Sequence, residues 1–155
     1  MAEKVFAIVR VRGRVGTKGI VNDALRMLHL TRVNHCALAD ASKSLAGTLQ
    51  LCKDYVTWGE PDAKTMAALI EKRGRLPGNK RITKEVLAKA GIGSFDKLAS
   101  AILAGDGQAA EKLGMKQVFR LNPPSGGYRY TKKHYPKGAL GYRGEKVNEL
   151  LRSMM

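Results

Sequence analysis

Residues 5–11 (VFAIVRV) form a nearly unbroken β-branched and apolar run, which predicts a strand buried on at least one face. The next eight, 12–19 (RGRVGTKG), are basic and punctuated by glycine, and read as a loop. Between residues 22 and 30, Leu25, Met27 and Leu28 lie within helical reach of one another, with Asn22 as the expected N-cap of a short amphipathic helix. A second apolar stretch, 35–40 (HCALAD), predicts a strand. Residues 44–53 then place Leu45, Leu49 and Cys52 at i, i+4 and i+7 of a helix, and 55–58 (YVTW) predict a third strand closed by Gly59. The first sixty residues thus read β-α-β-α-β, an α+β unit in which two helices cover one face of a three-stranded sheet.

The pattern then changes. Pro61 marks a helix start, and Met66, Leu69 and Ile70 give that helix an apolar stripe up to Lys72 and Arg73. Residues 74–80 (GRLPGNK) are a loop. Three short helical patterns follow at 83–89, 94–103 and 106–113, separated by glycines, and 118–121 read as a strand. Residues 122–144 are irregular, basic and aromatic, and 144–154 close the chain as a helix with Val147, Leu150, Leu151 and Met154 on one side. The expected organisation is a core at 1–60 and a helical extension at 61–155 carrying a basic loop at 112–144.

Charge changes the picture more than composition does. With 44% apolar residues the 155-residue chain can build a core, but 28 Lys and Arg stand against 13 Asp and Glu, a formal net charge of +15. A compact chain with that imbalance repels itself unless its partner is a polyanion. Three blocks hold 19 of the 28 basic residues: Lys4, Arg10, Arg12, Arg14 and Lys18; then Lys72, Arg73, Arg75, Lys80, Arg81 and Lys84; then eight between Lys112 and Gly144, a stretch with no Asp or Glu. The last block interleaves Tyr128, Tyr130, His134, Tyr135 and Tyr142 with its charges, so phosphate neutralisation and base stacking are both within its means. Glycines at 126, 127, 138 and 141 would let its backbone lie close to a ligand. Because the charge sits in loops and not along one amphipathic helix, RNA is favoured over an anionic membrane.

Signals for other chemistry are weak. Gly13, Gly16 and Gly19 follow a strand and precede a helix, but their spacing of three and three differs from the two-and-three spacing of the dinucleotide fingerprint. An RNA phosphate suits such a loop better. His35 and Cys36 are adjacent in a strand and point to opposite faces, so they cannot pair as base and nucleophile. Cys36 and Cys52, with His29, His35 and His134, complete no metal-binding spacing; the thiols read as small core residues of a reduced, cytoplasmic protein. No cofactor is expected. Residues 1–6 carry no cleavage-site pattern, and no stretch reaches the roughly 20 apolar residues of a membrane span.

Several segments match a known family. They are 28–32 (LHLTR), 55–59 (YVTWG) followed by Pro61, 71–74 (EKRG), 91–98 (GIGSFDKL), 121–127 (LNPPSGG) and the closing 144–154 helix. In these, and in their order, the chain resembles the large-subunit ribosomal protein L-thirty family, whose eukaryotic cytoplasmic members are called L-seven. The presence of both core and C-terminal elaboration is similar to the archaeal form. The resemblance implies an antiparallel three-stranded sheet and a structural, non-enzymatic role in the large ribosomal subunit. It also implies contact with the large ribosomal RNA and neighbouring ribosomal proteins, proximity to the small RNA of that subunit, and no obligate homo-oligomer. The residues expected to meet RNA are Arg10, Arg12, Arg14, Lys18, Arg32, Arg73, Arg75, Lys80, Arg81, Arg129, Tyr130, Lys132, Lys133, His134, Tyr135 and Lys137. The rival expectations are a free RNA-binding regulator using the same surface and a nucleotide-dependent enzyme built on the glycine loop.

Overall fold

A computed structural model describes residues 5–105 and 107–155. The first part follows the sequence reading: β1 (Val5–Arg10), α1 (Gly19–Met27), β2 (His35–Asp40), α2 (Lys43–Cys52) and β3 (Val56–Gly59). β1 lies between β2 and β3 and is antiparallel to both, with Ile8 opposite Ala37 on one side and Trp58 on the other. The second part supplies α3 (Ala63–Arg73), α4 (Lys84–Lys89), α5 (Phe95–Leu103), α6 (Gly107–Leu113), β4 (Val118–Arg120), β5 (Gly141–Tyr142) and α7 (Val147–Met154), with single 3-10 turns at Pro77–Asn79 and Gly144–Lys146. The expected start of the helix before Leu113, at Asp106, falls outside the described residues.

The sheet has five strands, not three, in the order β4-β2-β1-β3-β5. β4 adds antiparallel to β2, and β5 adds parallel to β3, so the sheet is not purely antiparallel either. The reason is physical: β2 and β3 would otherwise be edge strands with unpaired backbone groups, and short pieces of the C-terminal half satisfy them.

β1 lacks polar alternation because both faces of the sheet are covered. Ile8 and Ala37 face α1 and α2, joining Leu25, Leu30, Leu45, Leu49, Cys52 and Val56. Ala7, Val9 and Cys36 face the opposite, larger core, built with Met66, Leu69 and Ile70 of α3, Leu98 and Ile102 of α5, and Val147, Leu151 and Met154 of α7. The second face is therefore covered by residues beyond position 60.

Local signals explain the helix ends. Ser42 accepts from Leu45 N (3.1 Å) and Ser94 from Lys97 N (3.3 Å), each capping the helix that follows. Asn22 is not the cap of α1: the helix starts at Gly19 after Lys18, and the Asn22 side chain instead donates to Thr17 O (3.3 Å). Met27, at 76% exposure, faces away from the core that Ala24 and Leu25 enter. Asn148 of α7 is buried and clasps the start of α3, accepting from Asp62 N (2.8 Å) and donating to Glu60 O (3.2 Å). Gly59 ends β3 where the chain crosses the carbonyl of Gly144; a Cβ there would overlap it.

Phe119, fully buried on β4, is the anchor by which the added edge strand is held. Phe119→Ala is expected to cost about 3–5 kcal/mol in urea unfolding; a loss below about 1 kcal/mol would mean that β4 is not part of the cooperative core.

Candidate nucleic-acid interface

Strand direction decides which loops meet. β1 runs toward Arg10, opposite Val56 at the start of β3, and Val9 lies opposite Cys36 near the start of β2. β4 ends at Arg120, opposite His35, and β5 begins at Gly141, beside Thr57. All these strand ends lie at one end of the sheet, so residues 11–18, 28–34, 53–55 and 121–140 gather there. The carboxylates of Asp40, Glu60, Asp62, Glu145 and Glu149 belong to the other end, where β2, β3 and β5 finish.

The basic segment is folded onto this end by its own contacts. Asn122 N donates to Met154 O (3.0 Å) and Ser125 N to Ser153 O (3.1 Å), tying its start to α7. Tyr128 Oη donates to Asn34 Oδ1 (2.6 Å), and Ala139 and Leu140 are buried against Val11. Leu140 N donates to Lys133 O (3.1 Å) and Tyr135 N to Leu140 O (2.8 Å), closing a tight loop. Gly138 is required inside that loop, because a Cβ would overlap the Lys133 carbonyl; its closeness is to the chain itself and not to an outside ligand. Gly126, Gly127 and Gly141 all adopt positive φ, which accounts for glycine there. Arg143 braces the loop from inside, donating from Nη2 to Ala139 O (3.0 Å) and from Nε to Thr57 Oγ1 (3.0 Å). His134 Nε2 lies 2.9 Å from Asp54 Oδ1, fastening the loop tip to the turn before β3.

The predicted residues of the first and third blocks, with Arg32, fall into three groups. Arg14, Lys18, Arg32, Arg129, Tyr130, Lys132, Lys133, His134, Tyr135 and Lys137 are exposed at this end. Arg12 is half-buried, with Nη1 donating to Asp54 O (3.2 Å) and its guanidinium 5.1 Å from the Tyr55 ring centre. A depression lined by Arg12, Gly13, Val15, Tyr55 and Thr131 marks the meeting of the first and third blocks. Arg10 differs from all of these. It is 2% exposed, and it donates from Nε to Arg12 O (2.9 Å) and from Nη1 to Leu30 O (2.7 Å), which removes it from the outer surface.

The second block adjoins the same end through the C-terminus. Arg73 Nη2 donates to Met155 O (3.1 Å), Arg75 O accepts from Lys116 N (2.9 Å), and Arg75 bridges to Arg81. Lys72, Arg73, Arg75 and Arg81 line one open depression with Glu71 and Met155, and Lys80 is exposed nearby.

The electrostatics follow from burial among cations. His35 is pushed toward its neutral form by burial and then by Arg120, Arg32 and Arg10. Burial, with Arg14 second, weakens proton binding by Arg10, and burial does the same to Arg143; neither guanidinium gives up its charge. The Tyr128 hydroxyl is pushed up to about 12, mainly by burial, and stays a donor. Rings and cations also meet: Lys133 Nζ lies 5.2 Å from the Tyr130 ring centre, and the Arg143 guanidinium 5.4 Å from that of Tyr135. Such a surface can neutralise phosphates and stack on bases. The thiols offer nothing comparable: Cys36 and Cys52 are both buried, and burial pushes Cys36 up to about 12. No cluster of metal-ligating side chains occurs among the described residues.

Sequence reasoning passes over Arg26, which shares a small cavity with Arg14. Its spacing of four from Asn22, which places both on one side of α1, is the signal that could find it.

Comparison with known proteins finds matches across nearly the whole chain. Residues 6–56, the stretch from β1 to the start of β3, match the profile of the family described as Ribosomal protein L30p/L7e. Three archaeal proteins, each named large ribosomal subunit protein uL30, align along nearly the whole chain. That of Methanosphaera stadtmanae is 46% identical over 153 residues, covering 97% of this chain and 100% of the relative. That of Nanoarchaeum equitans is 45% identical over 150 residues, covering 95% and 96%. That of Archaeoglobus fulgidus is 42% identical over 151 residues, covering 97% and 99%. Identity at this level across both the sheet and its C-terminal additions shows that the chain belongs to the ribosomal protein L30p/L7e family.

Proposed function

We propose that this protein is a structural constituent of the large ribosomal subunit that binds ribosomal RNA through the basic end of its sheet. The observation that carries the reading is the gathering of basic blocks from remote parts of the sequence at one end, while Asp40, Glu60, Asp62, Glu145 and Glu149 fall at the other. Among the described residues of the end loops, Asp54 is held by His134, so few carboxylates compete with an incoming phosphate. Family membership supplies the ribosome as the setting, and with it the cytoplasm and neighbouring ribosomal proteins; its relatives are structural proteins and not enzymes.

Arg14, Lys18, Arg32, Arg129, Lys132, Lys133 and Lys137 are the proposed phosphate contacts, and Tyr130, His134 and Tyr135 the stacking positions. Arg73, Arg75, Lys80 and Arg81 would hold a second stretch of RNA beside the C-terminus. Contacts of this kind position a protein without reading base sequence, so specificity rests on RNA shape.

Two measurements test this. In sucrose gradients of source-cell lysate, the protein is expected to travel with the large subunit and remain there after a high-salt wash; recovery near the top of the gradient at low and high salt would contradict the ribosomal reading. In purified form, the double variant Lys132→Glu, Lys133→Glu should bind large-subunit RNA more weakly. The slope of log affinity against log salt should flatten by roughly 0.7–0.9 for each phosphate that is no longer neutralised. A slope equal to wild type would remove these lysines from the interface.

A further inference from the structure

The geometry points to a discrete pocket for a single phosphate group, built around Arg10 beneath the exposed surface, and this deepens the RNA-binding reading above. A cavity of about 80 Å³ lies between the loop after β1, the inner side of α1 and the loop before β2, and it is lined by Arg10, Arg14, Asn22, Arg26, Leu30 and Thr31. That is room for a few waters, or for one tetrahedral oxyanion.

Arg10 is the reason to assign it a ligand. Its side chain is 2% exposed, and it donates to main-chain carbonyls, those of Arg12 and Leu30. Its Nη2 is buried without a hydrogen-bond partner. A buried guanidinium ordinarily sits against a carboxylate, because an unpaired buried charge is costly. Here the ionisable neighbour that acts on it most strongly is another cation, Arg14. The third arginine of the cavity, Arg26, has Asp23 as its ion-pair partner, at 4.0 Å and on the exposed side of α1, so it does not neutralise Arg10. Arg10, Arg14 and Arg26 all line one small space, and a phosphate there would counter the charge of a buried arginine whose Nη2 has no partner, relieving the repulsion between Arg10 and Arg14. Asn22 and Thr31 supply uncharged polar groups at the rim.

The direct probe is inorganic phosphate. Thermal unfolding of the full chain in phosphate is compared with chloride at equal ionic strength, in wild type, Arg14→Gln and Arg26→Gln. Neither side chain has a buried role, so both variants should melt in chloride no lower than a degree or two below wild type. Wild type should be stabilised saturably by phosphate, and each variant should lose most of that gain. Equal stabilisation by phosphate and chloride would overturn the pocket, as would a phosphate gain that survives both substitutions. A second arm separates RNA backbone from free phosphate. If the occupant is an RNA phosphate, Arg26→Gln, which removes none of the surface contacts proposed above, should lower the affinity for large-subunit RNA and flatten its salt slope by about one phosphate's worth, and saturating inorganic phosphate should erase that difference. RNA affinity indifferent to both would overturn the assignment to RNA and leave a free-phosphate site. A protein that binds ribosomal RNA yet shows no phosphate-specific stabilisation keeps the proposed function and loses the pocket; the reverse result keeps the pocket and loses the function.

Discussion

The antiparallel pairing of β1 with both β2 and β3 is the constraint on which the rest of the molecule depends. Reversing direction at each step returns the chain to the same end of the sheet, and so brings together loops that the sequence separates by more than a hundred residues. β4 and β5 extend the same logic. The chain leaves β4 at Arg120 and enters β5 at Gly141, both at that end, so the basic segment between them has nowhere else to lie. Concentrating like charges there costs electrostatic free energy in the isolated protein. Burial on both faces of the sheet offsets that cost, and the proposed polyanionic partner would remove it.

The basic segment is shaped by contacts that leave the ammonium groups of its exposed lysines unengaged. Tyr128 to Asn34, Arg143 to the Ala139 carbonyl, and the buried pair Ala139 and Leu140 against Val11 shape the segment, while Lys132, Lys133 and Lys137 stay outside these contacts. The same division explains Arg10. An arginine in a strand flanked by apolar residues reads as part of a basic surface, but burial makes it a brace for the loops around it.

Much of this is legible in the sequence, and the exceptions have physical causes. The unbroken apolar run of β1, the i, i+4, i+7 stripe of Leu45, Leu49 and Cys52, and the absence of Asp and Glu from residues 112–144 each record a local rule. The five-stranded sheet is legible only in part: residues 118–121 read as the strand that becomes β4, but β5 is two residues long, too short to show a period, and its pairing with β3 is set by tertiary packing. The burial of Arg10 is not legible, because it depends on the Leu30 carbonyl twenty residues away. Asn22 has the residue type of a cap, yet the helix begins three residues earlier, where the glycine loop already turns. Local pattern identifies the elements; the partners of individual polar groups are long-range facts.

The most direct test of the central claim is lysine modification with a small acylating reagent, read residue by residue in the free protein and in the intact large subunit. Lys18, Lys132, Lys133 and Lys137 should become protected together on the ribosome. Lys43 and Lys64, exposed near the opposite end of the sheet, should change less. Unchanged reactivity at the first four, or protection centred on Lys43 and Lys64, would contradict an RNA-binding face at the basic end.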